Sequence, residues 1–139
     1  MNNRYMYRGK YNNVSGDTGW VEGFLFSSAM DGWCIGVAPL SANDYGELNC
    51  WDYVKIDFTT IGQCTGLEDK HGKLIFEGDI LQNNEEEFHG VVIWATDCWM
   101  IKVYTDNGAD YEPLCDWADR TEIVGNIHDS PELLQEAAQ

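Results

Sequence analysis

The chain has 139 residues, 24 of them acidic and eight basic, for a formal net charge of −16. All 24 acids and only five of the bases lie in residues 11–139, a net −19 there, and a field of that sign repels both a phosphate backbone and anionic lipid. With 44% apolar residues, six Trp, seven Tyr and five Phe, the composition excludes a disordered acidic tail and predicts a folded chain.

Tyr5 to Lys10 alternates aromatic and polar residues. Asn12 to Gly19 is dense in turn formers and Trp20 to Phe26 is apolar, so the opening reads as a β-hairpin with a long loop. Gly32 to Val37 reads as a strand and Ser41 to Asn49 as a polar loop. Tyr53 to Phe58 reads as a strand with Val54, Ile56 and Phe58 on one face. Asp69-Lys70-His71-Gly72 has Asp first and Gly fourth, the pattern of a type I turn, with Gln63–Leu67 and Lys73–Phe76 paired across it. Glu77-Gly78 then leads into a strand at Asp79-Ile80-Leu81. Gly90–Ala95, Trp99–Tyr104 and Glu122–Ile127 follow as strands, with Asp106–Asp119 as an acidic link. Ser130-Pro131-Glu132 is a helix start, and Leu133-Leu134 begin a short terminal helix that carries no chemistry. The expected fold is mainly β. Residues 1–60 form a hairpin-rich N-terminal part, and 61–139 a small SH3-like barrel ending in a short helix.

Trp20-Val21-Glu22-Gly23-Phe24-Leu25 echoes Ile75-Phe76-Glu77-Gly78-Asp79-Ile80, read as a repeated strand ending in which Gly permits a bulge or bend. The stretch from Ile61 to Leu81, with Gly66-Leu67-Glu68-Asp69, Gly72 and Phe76-Glu77-Gly78-Asp79-Ile80-Leu81, resembles the YopX-like family of small phage and prophage proteins. Tyr7-Arg8-Gly9-Lys10 with Trp20-Val21-Glu22-Gly23, and the ending Glu122 to Leu134, are similar to the same family. Cys64 and His71 depart from its pattern, where an aromatic residue and an asparagine are expected, and residues 27–60 and 82–119 carry none of it. The resemblance implies a largely β protein with a barrel-like C-terminal half, encoded by a phage or prophage. It implies no activity, and no residue role is carried over.

Candidate chemistry is sparse. Glu77 and Asp79 stand two apart on an expected strand, with Asp69 across the hairpin, a spacing open to acid–base or divalent-ion chemistry; the structural alternative, in which these acids close turns, is preferred. Gly66, Asp69, Gly72, Glu77, Gly78 and Asp79 are therefore read as a structural motif and not as a site. Asp106 to Glu112 opens like a calcium loop but has Tyr111 where glycine is needed and Trp117 where a bidentate Glu belongs. His71, His89 and His128 have no local partners. Five cysteines, Cys34, Cys50, Cys64, Cys98 and Cys115, lie at least 14 residues apart without C-x-x-C spacing, which predicts buried or half-buried reduced thiols. No catalytic, cofactor or metal residue is assigned, and most of the Trp are expected in the core.

The leading expectation is a non-catalytic phage or prophage accessory protein that acts through protein–protein contacts. Its aromatic richness and the β edges of a short meander lead to the expectation of a homo-oligomer, and its acidic field to that of no binding to nucleic acid or membrane. Because the start lacks a signal-peptide core and no 18-residue apolar stretch exists, it is expected in the host cytoplasm. The protein partner is not specified. The alternative is an acidic DNA mimic or nucleic-acid-related regulator, and the third reading an enzyme of unknown type, whose mark would be a buried carboxylate or histidine in a well-formed pocket.

The turn reading makes a direct prediction. Gly72→Ala should lower stability by about 1 kcal/mol or more, because a Cβ is forced into φ > 0, while His71→Asn should be near neutral. Urea denaturation of both variants checks this, and a fully stable Gly72→Ala would overturn it.

Overall fold

The computed structural model describes residues 5–12, 15–36, 41–42, 48–49 and 53–137. The chain divides into two units, Arg4–Gln63 and Cys64–Gln139.

In the first unit β1 (Tyr7–Asn12) pairs antiparallel with β2 (Thr18–Ser28), from Tyr7 opposite Gly23 to Asn12 opposite Thr18. The second half of β2 turns back onto β3 (Gly32–Gly36), and the Ser28 hydroxyl oxygen accepts the Met30 and Asp31 N–H groups at 3.2 and 3.3 Å to close the turn. A two-residue ladder joins β4 (Ser41–Ala42) to β5 (Leu48–Asn49). The expected Ser41–Asn49 loop is thus partly strand, while residues 43–47 of that expectation lie outside the described residues. β6 (Tyr53–Lys55) pairs with β3, and β7 (Asp57–Glu68) pairs with β1 through its first residues. The predicted Tyr53–Phe58 strand breaks at Ile56, whose N–H donates to the Trp33 carbonyl at 3.1 Å. The alternation is lost at that break: Ile56 is buried and Phe58 is 66% exposed. Ile56 fills the space over Gly9, where a Cβ would come within 2.5 Å of its Cδ1, so β1 needs a glycine there.

In the second unit the end of β7 pairs with β8 (Leu74–Phe76), Cys64 opposite Phe76 and Glu68 opposite Leu74, with Gly66 at φ +82° in the irregularity between. A meander follows: β9 (Asp79–Asn83), β10 (Phe88–Ala95), β11 (Cys98–Thr105) and β12 (Gly108–Pro113). After α1 (Leu114–Trp117) and a 3-10 turn at Ala118–Arg120, β13 (Glu122–Asn126) returns beside β9, giving the order β12-β11-β10-β9-β13. The acidic stretch read as a link therefore supplies an edge strand and a helical turn. Gly108 at φ +130° makes the β11–β12 hairpin tight, and buried Leu114 pulls α1 onto the core. The short α2 (Glu132–Ala137) lies against β10 and β11. The protein is mainly β, as expected.

Ile75, Leu81, Phe88, Val92, Ile101, Leu114 and Ala118 form the core of this unit, with Leu67, Trp99, Val103, Trp117 and Ile123 packed against it. Contrary to expectation, none of the five described Trp is fully buried, and Trp33 and Trp94 are 44% and 51% exposed. Branched aliphatics with Phe76 and Phe88 fill the inward positions, and Trp99 and Trp117 pack half-buried against that core. Trp117 stacks on Phe88 with centroids 4.4 Å apart, under the Arg120 guanidinium at 4.3 Å.

The Asp69–Gly72 turn is present: the Gly72 N–H donates to the Asp69 carbonyl at 3.0 Å, with Gly72 at φ +80°. The buried Asp69 carboxylate does more. Its Oδ1 accepts the His71 and Lys73 N–H groups, both at 2.9 Å, and its Oδ2 accepts the Ile123 N–H of β13 at 3.2 Å. Burial alone would raise its pKa. The N–H donors of Lys73, Ile123 and His71, aided by the His71 side chain, outweigh burial and hold it below the ordinary carboxylate value.

Asp69→Ala leaves three N–H groups without their acceptor and should cost about 2–4 kcal/mol. Because the folded pKa is depressed, the carboxylate's stabilisation is present above the unfolded pKa of about 3.9 and is lost as pH falls through the lower folded value. Urea titrations between pH 6 and about pH 2 should therefore show a steeper acid loss for the native chain than for Asp69→Asn. Parallel profiles would overturn this.

Candidate protein-contact surface

Strand alternation in the first unit builds the candidate surface. Along β2, Val21, Gly23 and Leu25 are half-buried while Glu22, Phe24 and Phe26 point outward. Register sets Phe24 opposite Gly36 and Gly36 opposite Tyr53. Phe26 lies opposite Cys34, and Cys34 opposite Lys55. Phe24, Phe26, Cys34, Gly36, Tyr53 and Lys55 therefore share one face of the β2–β3–β6 sheet, while Leu25, Ile35 and Val54 share the other. Phe24, Phe26 and Tyr53 are 53%, 37% and 42% exposed. The Phe26 and Tyr53 rings meet edge to face at 5.6 Å, and the Tyr53 hydroxyl donates to Asp31 Oδ2 at 3.0 Å. Gly36 keeps the floor between the rings low, its missing Cβ lying 3.8 Å from the Phe26 ring.

Cys34 is fully buried in this sheet. Burial, then the Asp31 charge, push its thiol above the ordinary value, against the pull of Lys55. The face is thus aromatic at its centre and carries Glu22, Asp31 and Lys55 around it, the composition of a protein-contact patch. Seven of the ten exposed large hydrophobic side chains among the described residues belong to the first unit, including Met30 and Phe58.

None of the six residues of the sequence motif belongs to this face. Gly66, Gly72 and Gly78 hold φ of +82°, +80° and +91°. Glu77 and Asp79 are not side by side on a strand: Glu77-Gly78 is a turn, and buried Asp79 closes it by accepting the Phe76 N–H at 2.8 Å. Gly78 is also buried, its N–H donating to Val92 and its carbonyl accepting from Ile127, both at 2.9 Å. The echo with Gly23 does not carry over to structure. Gly23 lies inside β2, where a Cβ would collide with the Gly36 carbonyl oxygen, and it is not among the glycines at positive φ. His71 Nε2 meets Glu122 at 3.3 Å on the surface.

A second feature lies in the other unit: an open cleft of about 310 Å³ lined by Gln82, Asn84, Glu87, His89, Val103 and Tyr104 among others. His89 Nε2 is buried there and makes no hydrogen bond. Gln82 and His89 are direct partners across β9 and β10, and Gln82 also donates to Asn84. The cleft offers amide, imidazole and phenol groups for binding. Among the described residues no three His, Cys, Asp or Glu side chains converge to hold a metal ion. Sequence reading missed both features. The aromatic residues of β2 were visible, but only register decides which of them share a face with Tyr53.

Fold and surface together define a small antiparallel β protein with an exposed aromatic sheet face. Residues 37–135, more than half of the chain, match the profile of the family described as YopX protein. The chain belongs to the YopX family. Among solved structures it is similar to protein EF1440 from Enterococcus faecalis, at 21% identity over 93% of this chain and 97% of that one, with a TM-score of 0.49. No curated protein matches it. Among the described residues no helix is long and apolar enough to cross a membrane.

Because the three rings of the face are exposed, Phe24→Ser should leave the unfolding midpoint within about 0.5 kcal/mol of the native chain. Thermal and urea denaturation check this; a large loss would mean that the ring is part of the core.

Proposed function

We propose that the protein is a non-catalytic accessory protein of a phage or prophage that works through protein–protein contact, with a second copy of this chain as its first partner. The aromatic face of β2, β3 and β6 carries the reading. Aromatic side chains anchor interfaces when their neighbours exclude water, and Phe24, Phe26 and Tyr53 are contiguous. Charge points to self-association through this unit. Arg4–Gln63 holds seven acids and four bases, a net −3, whereas Cys64–Gln139 holds seventeen and four, a net −13. Two copies meeting through the near-neutral unit oppose the least charge. In the second unit, a meander whose last strand returns beside the first after a 3-10 turn supports the SH3-like reading.

The alternative, a carboxylate surface that occupies a basic DNA-binding groove, draws on the same −13 unit. Salt separates the two. Apolar self-association between like-charged chains strengthens as salt rises, and capture of a basic DNA-binding protein weakens. Light scattering after size exclusion should show a concentration-dependent dimer that Phe24→Ser weakens at least tenfold, with no shift of random duplex DNA at physiological salt. A strict monomer at all concentrations would sink the contact reading. A salt-sensitive micromolar shift of duplex DNA would sink both.

A further inference from the structure

Of the four described cysteines, Cys34 and Cys64 are buried, while Cys98 and Cys115 are exposed, against the expectation of buried thiols. The β11–β12 ladder places Met100 opposite Pro113 and Ile101 opposite Glu112. The ladder ends at that first pair: Cys98, the first residue of β11, stands two residues before Met100, Cys115, the second residue of α1, stands two residues after Pro113, and α1 packs on β11. Both thiols thus lie at the same end of one hairpin, and a disulfide there requires their Cα atoms to stand roughly 4.4–6.8 Å apart. We propose that Cys98 and Cys115 form an intramolecular dithiol, a modification site that a low-molecular-weight disulfide oxidises to a disulfide across the open end of this ladder.

The exchange balances within that chemistry. One protein thiolate attacks a sulfur of the small disulfide RSSR, forming a mixed disulfide and releasing RS⁻, which takes up a proton. The second protein thiol, deprotonated, attacks the protein sulfur of the mixed disulfide and expels a second RS⁻, also protonated to RSH. Two protein thiols lose two protons and two electrons, and RSSR becomes two RSH.

The surroundings shape the rate. Desolvation, a side-chain hydrogen bond to Asp97, the Asp97 charge and the neighbouring Cys115 all hold the Cys98 thiol above its ordinary pKa. Cys115 Sγ in turn lies 3.8 Å from Asp116 Oδ1. A thiol kept protonated attacks slowly at neutral pH and is a poor leaving group once bonded, so the bridge forms slowly and persists. The other two described cysteines, Cys34 and Cys64, are buried and shielded from the oxidant.

Trypsin sites suit the test, since Lys73, Lys102 and Arg120 leave Cys98 in peptide 74–102 and Cys115 in peptide 103–120. The native full chain, reduced and then incubated with glutathione disulfide, is run on a non-reducing gel. Its monomer band is alkylated and digested. The expected result is a linked pair of these peptides that disappears on reduction, that forms about tenfold faster per pH unit below the thiol pKa, and that is absent from Cys98→Ser. Separate recovery of the two peptides from the native chain, alkylated or each bearing glutathione, would overturn the proposal. So would a linked pair confined to the dimer band. The native-chain result decides without reliance on the variant's folding.

Discussion

The second unit depends on one buried carboxylate. Asp69 stands at a hairpin turn, and its two oxygens gather N–H groups from that turn and from β13, 54 residues further along the chain. The backbone joins in, with the Asp69 and Lys70 N–H groups donating to the Lys73 and Thr121 carbonyls at 2.8 and 2.9 Å. A local turn thereby becomes the anchor for the strand that returns beside β9. A neutral side chain of the same shape would supply fewer acceptors, and buried N–H groups without acceptors cost more than an ordinary hydrogen bond contributes.

Gly78 and Asp79 extend the same logic. The Gly78 backbone links the middle of β10 to the residue that follows β13, and Asp79 closes the turn before it, so the glutamate–glycine–aspartate sequence is a strand junction. Its aspartate accepts the Phe76 N–H and so serves the backbone of the turn.

Charge and aromatic surface are divided between the two units. The acidic residues concentrate in Cys64–Gln139, where they favour solubility, and most exposed rings concentrate in Arg4–Gln63, where net charge is small. An exposed aromatic sheet face is costly to leave in water, and association is the usual means of covering it. Register puts Phe24, Phe26 and Tyr53 on one face, with Gly36 and the small Cys34 between them.

Much of the architecture was legible in the sequence because it is set locally. Turn chemistry marked Asp69–Gly72, alternation and β-branched runs marked the meander, and Ser130-Pro131-Glu132 marked the terminal helix. Family membership was legible in the same residues. What required long-range pairing was not legible. Phe58 alternates with Ile56 on paper yet is exposed, because the strand breaks where Ile56 fills the space over Gly9. The indoles looked like core and lie at its margins, since aliphatic residues from four strands had already filled it. Gly23 and Gly78 look alike in sequence, but one avoids a neighbouring carbonyl and the other makes a turn at positive φ. Composition and local pattern determined most of the strands, but not β12 or the β4–β5 ladder, which formed where a link and a loop were expected. Only register decided that Phe24 shares a face with Tyr53, because that depends on residues that meet across strands and not along them.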